Sequence, residues 1–217
     1  MEILGVVPVA GKGSRWGGYF KELLPVGNGE WLLDRTIGAM MKGGANKICV
    51  ITTPEKISTH IAHINSKYSG IFYVTQKEKK DIWGAMKESL IFAGELNLFA
   101  MPDTYFPSEL FVRQFRKTTY GRKPQFFIGV HKTTMPERFG VLLENKVVNK
   151  QKLSDGTYDA WGTLVWTKEV AKFWIENPPE TYTEAINSAM KEFEWETFAM
   201  EYYKDMATWK DYTEFIK

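Results

Sequence analysis

Cysteine is all but missing from this 217-residue chain, with Cys49 standing alone. An internal disulfide is therefore excluded, and nothing argues for an oxidising compartment. A dominant charge is missing too: 28 basic and 26 acidic side chains leave a formal +2, too small a surplus for wrapping nucleic acid or adhering to an anionic membrane. Neither is expected as a partner, and any phosphate ligand must be held by local groups. No run approaches the roughly 18 uninterrupted apolar residues of a membrane-crossing helix. The opening, Met1 to Val7, lacks a basic n-region and passes into Gly and Lys where a leader would carry a small-residue cleavage site, so a cytoplasmic location is the expectation. Repeats, low-complexity tracts and linkers are likewise absent.

What is present is the composition of a soluble globular protein, 44% hydrophobic and 25% charged, long enough for one large domain with a substantial core. The 8 Trp are either buried or form pocket walls, which composition does not separate. Cys49, inside Ile48-Cys49-Val50-Ile51, is expected as a core thiol. Strand-like runs at 3–9, 47–52, 71–75 and 96–101 alternate with helical spacing at 32–41, 55–68 and 82–93, and a further helix is expected at 108–117. That alternation predicts an α/β domain with a largely parallel sheet. Beyond it come a strand at 125–131, a hairpin over 139–152, a strand at 161–166, helices from 168 broken at Asn177-Pro178-Pro179, and a strand at 195–203, which together read as mixed sheet inserted into the same domain.

Directly after the first strand stands Ala10-Gly11-Lys12-Gly13-Ser14-Arg15. Glycines there let backbone N–H groups approach a phosphate, and Arg15 supplies a fork of charged donors. Spacing alone describes a structural turn equally well. The Gly-Lys-Ser/Thr ending of a P-loop is missing. Gly11, Gly13 and Gly17 imitate a dinucleotide-binding fingerprint, yet the next strand ends in Thr52-Thr53-Pro54 without an acid for the ribose, leaving an NAD(P)-binding oxidoreductase as an alternative.

The stretch continues into Lys21-Glu22-Leu23-Leu24-Pro25-Val26. With Phe20 in place of a Pro, the whole resembles the opening of the sugar-phosphate nucleotidyltransferases, such as the glucose-1-phosphate thymidylyl- and uridylyltransferases: A-G-x-G-[ST]-R, a spacer, then P-K-x-L-x-P-V. The resemblance implies a three-layer α/β/α, Rossmann-like domain over 1–217 with a mostly parallel mixed central sheet, 1–106 forming the nucleotide-binding half and 107–217 the acceptor-binding half. It implies that Ala10, Gly11, Gly13, Ser14 and Arg15 hold the triphosphate while Lys21 sits near the α-phosphate. Arg suits a leaving pyrophosphate through its planar fork, and Lys suits a crowded phosphoryl group as a compact point charge.

Further matches follow in chain order. Gln76 to Ala85 resembles the family's Q-x-x-x-x-G-x-A region with a slightly longer loop, implying base recognition by Gln76 and Gly84, and a Gln amide suits the edge of uracil or thymine. Met101-Pro102-Asp103 resembles the metal aspartate of G-D-x-x-F, and Asp205-Met206-Ala207-Thr208 resembles D-[IV]-G-T, so Asp103 and Asp205 become the expected ligands of Mg²⁺. On the acceptor side, Gly140 and Gly162 match positions lining the sugar pocket. Lys150 or Lys152 stands for the lysine of Glu-Lys-Pro, whose acid is gone. The implied reaction joins an NMP from an NTP, with a pyrimidine expected, to a sugar 1-phosphate or similar small phosphorylated acceptor and releases pyrophosphate. A glycosyltransferase of related fold is a second alternative, although Asp103-Thr104-Tyr105 lacks the Asp-x-Asp of that class. His60, His63 and His131 receive no role, the first two being expected at the surface or an interface. The chain is compatible with a homodimer without requiring one.

Overall fold

Every residue of the first strand, Ile3–Pro8, is buried, so it must be covered on both faces. The computed structural model describes residues 1–11, 13–76, 81–105 and 124–217, with the backbone alone of Arg15, and it places that strand inside a nine-stranded sheet. The strands are β1 (Ile3–Pro8), β2 (Pro25–Gly27), β3 (Glu30–Trp31), β4 (Lys47–Thr52), β5 (Ile71–Thr75), β6 (Leu96–Ala100) and β7 (Thr104–Tyr105), followed by β8 (Phe126–Thr133), β9 (Gly140–Leu143), β10 (Lys146–Asn149), β11 (Tyr158–Thr167), β12 (Trp195–Ala199) and β13 (Lys204–Asp205). The main path runs β10-β9-β11-β6-β1-β4-β5, with β8 joined to β11 and β12 to β8, while β2-β3 and β7-β13 form separate ribbons. The sequence-expected helix at 108–117 lies outside the described residues.

The sheet is parallel across β6, β1, β4 and β5. It turns antiparallel where β11 meets β6, β8 and β9. Period-two alternation builds the layers. Leu4, Val6, Cys49 and Ile51 face one core with Trp83 and Met86 of α3 (Ile82–Ser89) and with Trp174 and Ile186 from the helices Lys168–Glu176 and Tyr182–Glu192. Ile3, Val7, Ile48 and Val50 face the other, against Leu33, Ile37 and Met40 of α1 (Leu32–Lys42) and Ile64 of α2 (Ile57–Ile64). Three layers, α/β/α, result as expected. Cys49 is fully buried, which pushes its thiol up to about 12. Among the described residues, no helix is long and apolar enough to cross a membrane.

Several element ends differ from expectation. The helix expected at 55–68 is only Ile57–Ile64, because Lys56 turns its side chain inward under the first loop, and turns close on both sides. The run expected at 195–203 is a strand only to Ala199, where the chain leaves the sheet so that Lys204–Asp205 can pair with Thr104–Tyr105.

Candidate active site

The parallel strands deliver their following loops to one edge, the usual ligand edge of such a sheet. There Ala10 and Gly11 after β1, Gln76 after β5 and Asp103 after β6 line a cavity of about 310 Å³ together with Lys21 and Asp81. A second cavity of about 200 Å³ shares Lys21, Ile82, Met101 and Asp103 with the first and extends over Arg138, Gly140, Lys150, Gly162 and Asp205. Some of the residues expected for the nucleotide (Ala10, Gly11 and Gln76) and for the acceptor (Gly140, Lys150 and Gly162) thus face two chambers with a common wall.

The glycine loop turns where its sequence requires. Gly13 has φ +60°, and a Cβ there would run into the Tyr19 carbonyl, so the short 3-10 turn Ser14–Trp16 can start only from a residue without a side chain. Trp16 is buried and its indole N–H donates to the Ala207 carbonyl at 3.1 Å, which ties the loop to the segment carrying Asp205. Gly13 and Ser14 line neither cavity. The Arg15 side chain lies outside the described residues.

Lys21, on the 3-10 turn Lys21–Leu23, forms an ion pair with Asp103. The two expected metal acids are brought together although 102 positions separate them in sequence: the Met206 N–H donates to the Asp103 carbonyl at 3.0 Å, and Asp205 sits opposite Thr104 in the β7-β13 ribbon. Burial first, and then the Asp103 charge, push the Asp205 carboxyl up to about 6, against the pull of Lys21 and Arg138. Tyr203 feels the same pair, its hydroxyl raised well above its ordinary value by burial and by Asp205 and Asp103. Two crowded carboxylates fit a hard divalent cation that keeps water and phosphate oxygens as its remaining ligands. Among the described residues, no group of three or more His, Cys, Asp or Glu could hold a metal ion, so a full protein cage is not offered.

Gln76 is 4% exposed, and its amide nitrogen is buried with no partner among the described residues. An orphan donor on a cavity wall is costly unless a ligand meets it. Gly84 departs from expectation: it lines neither cavity, and its N–H donates to Asp81 Oδ1 at 3.1 Å as part of the α3 cap. Lys150, at φ +42°, lines the second chamber, whereas Lys152 is exposed and lines neither. Only the former is brought to the site. Gly140 sits under Trp161, whose indole nitrogen would lie 2.5 Å from a Cβ at that position, so only glycine lets that ring pack there on the wall of the second chamber.

Sequence reasoning missed a buried polar group behind the loop. Lys56 donates to the carbonyls of Val9 at 3.2 Å and Gly11 at 2.7 Å and to Glu22 Oε1 at 3.0 Å. The same Glu22 oxygen accepts from His60 Nε2 at 3.1 Å, and His60 Nδ1 lies 2.9 Å from the Thr52 hydroxyl. His60, expected near the surface, is completely buried. Its place on α2 gave no hint, because its partners come from elsewhere in sequence. Arg138 was also missed. It reaches Asp205 at 3.4 Å and Asp211 at 3.2 Å, and its proximity to Gly140 in Arg138-Phe139-Gly140 was the available signal.

The model of a family described as nucleotidyl transferase matches residues 5–216. No curated protein matches the chain. Among solved structures, a glucose-1-phosphate thymidylyltransferase from Bacillus anthracis in complex with sucrose superposes with a TM-score of 0.83 at 19% identity, covering 99% of this chain and 94% of its own. A UTP-bound UGPase from Acinetobacter baumannii gives 0.79 at 15% identity, covering 100% and 92%. A UDP-glucose pyrophosphorylase complexed with UDP-glucose gives 0.76 at 16% identity, covering 100% and 97%. At these identities the likeness is one of fold.

Proposed function

Since the chain belongs to the nucleotidyl transferase family, we propose that it moves the NMP of a pyrimidine NTP onto a sugar 1-phosphate or a similar small phosphorylated acceptor. That membership removes the oxidoreductase and glycosyltransferase alternatives. The observation that carries the proposal is the common wall of the two cavities: Lys21 and Asp103 belong to both, so a triphosphate in one chamber and an acceptor phosphate in the other meet at those groups.

An acceptor phosphate oxygen attacks the α-phosphorus of the NTP. The bond from that phosphorus to the oxygen bridging to the β-phosphate breaks, and the electron pair leaves with pyrophosphate. A phosphate dianion is already nucleophilic, so the protein has to supply alignment and charge neutralisation more than proton transfer. The backbone of Ala10 and Gly11 faces the triphosphate. Arg15, from its place in the motif, serves the leaving pyrophosphate, and Lys21 meets the α-phosphate. Mg²⁺ held by Asp103 and Asp205 would stabilise charge on the phosphoryl oxygens. Lys150 and Arg138 give the acceptor chamber its positive charge.

Pyrimidine selectivity rests on Gln76, whose amide nitrogen, without a partner among the described residues, suits a base carbonyl. A thymidylyltransferase and a UTP-bound protein are among the proteins that share its fold, which supports that choice. A single catalytic domain over 1–217 belongs to the same reading and is supported by β6, which pairs with β1 on one side and β11 on the other. The test is a screen of NTPs against phosphorylated acceptors with pyrophosphate release as readout. Turnover with UTP or dTTP and a hexose 1-phosphate is expected, and a purine preference would sink the assignment of Gln76.

A further inference from the structure

A lysine inside a protein is costly unless its charge and all three protons are matched. Lys56 is 6% exposed, and its three N–H groups are committed to the Val9 carbonyl, the Gly11 carbonyl and Glu22. The first two acceptors are backbone of the glycine loop. The third belongs to the residue after Lys21, on the same 3-10 turn. One ammonium therefore joins the segment that faces the triphosphate to the segment that presents the cation for its α-phosphate. Glu22 is held from behind by His60, itself fixed by Thr52 at the end of β4, so the joint is anchored to the central sheet.

We propose that Lys56 and Glu22 are positioning residues for nucleotide transfer: this buried ion pair fixes the spacing between the glycine loop and Lys21, and through it the placement of the triphosphate. The inference rests on reading the glycine loop as the triphosphate site. Neither side chain has to touch substrate to act. With the pair disrupted, the NTP binds in a wider set of poses and Lys21 meets the α-phosphate less often, while the acceptor chamber keeps its walls.

Steady-state kinetics with the NTP and acceptor varied separately, alongside thermal melts, test this in Glu22→Gln, Lys56→Met and the apolar pair Lys56→Met with Glu22→Leu. Glu22→Gln keeps the shape but removes the charge, leaving the buried Lys56 ammonium without its counter-ion. It is expected to fold but melt below wild type, and in the folded protein to raise the NTP KM and lower kcat, together about tenfold, leaving the acceptor KM unchanged. The apolar pair leaves no unmatched charge and is expected to recover the melting temperature that Lys56→Met loses, without recovering the NTP KM. The positioning role is overturned if Glu22→Gln keeps wild-type NTP kinetics, if both KM values rise by the same factor, or if the apolar pair restores kinetics together with stability. Wild-type protein that turns over no NTP would instead overturn the triphosphate reading itself.

Discussion

Lys21 and Asp205 are placed for opposite reasons. Lys21 pairs with Asp103 and lies on the wall of both cavities, so under the proposed transfer its ammonium meets the negative charge that accumulates there. Lys21→Ala is expected to lower kcat about a hundredfold, near 3 kcal/mol of transition-state stabilisation, with the circular dichroism spectrum unchanged because the side chain is only partly buried. Wild-type kcat in the folded variant would remove Lys21 from the mechanism. Asp205 is held in a place that disfavours its charge, with burial and Asp103 both pushing its carboxyl up. Asp205→Asn keeps the shape and relieves that repulsion, so in chelator the variant should melt above wild type by a few degrees, corresponding to about 1–2 kcal/mol. Excess Mg²⁺ should then stabilise wild type and leave the variant unmoved, and the variant should have lost turnover. A variant less stable than wild type in chelator would show that the carboxylate is structural.

At the scale of elements, α1 and α2 are locked together by an acid near the start of α1. Asp34 accepts from Lys67 at 2.8 Å, His63 at 2.9 Å and the Trp31 N–H at 2.8 Å. Burial alone would raise its carboxyl, yet the hydrogen bonds from Lys67, Trp31 and His63 outweigh that and hold it below its ordinary value. Glu22 is lowered in the same way, burial being outweighed by His60 and Lys56. A depressed carboxyl stabilises the fold above the ordinary carboxylate range, and that contribution is lost as pH falls through the folded-state value. Asp34→Asn should therefore lower the melting temperature at pH 7 and flatten its fall on acidification. An unchanged acid limb would mean that the three hydrogen bonds contribute nothing. The pairings of Asp34 with His63 and Lys67 were not legible in the sequence, because these residues meet only after two helices pack. What was legible is whatever repeats at short range: β4 and β5 fall at the expected residues, and the hairpin over 139–152 appears as β9 and β10. That Asp103, Asp205 and Gln76 come to the cavity edge was legible for another reason, since each stands in a short motif beside a strand end. The boundary of α2 and the buried state of His60 were not, because a lysine reaching beneath a distant loop leaves no periodic trace.

At the scale of the whole molecule, the two chambers share a wall at one edge of one sheet, and under the proposed transfer the product occupies both. On that proposal the nucleotide half of a nucleotide sugar lies beside Gln76 and Gly11, and its sugar half beside Gly140, Lys150 and Gly162, with the diphosphate crossing Lys21 and Asp103, which line both cavities. Neither substrate can fully enter while that product stays. Product inhibition is accordingly expected to be competitive against the NTP, and a nucleoside diphosphate lacking the sugar should compete with the NTP while binding more weakly than the whole product. The weakening reports the acceptor chamber alone. It should be unchanged in Gln76→Leu, where both ligands lose the same contact to the base, and reduced when the charge of Lys150 is removed by Lys150→Met. Inhibition constants for the two ligands in wild type and both variants form a double-mutant comparison that separates the chambers, since distant and independent contributions add. If Lys150→Met weakened both ligands equally, or if the whole product failed to compete with the NTP, the chambers would not be joined through Lys21 and Asp103, and the common wall on which the proposed transfer depends would have no functional meaning.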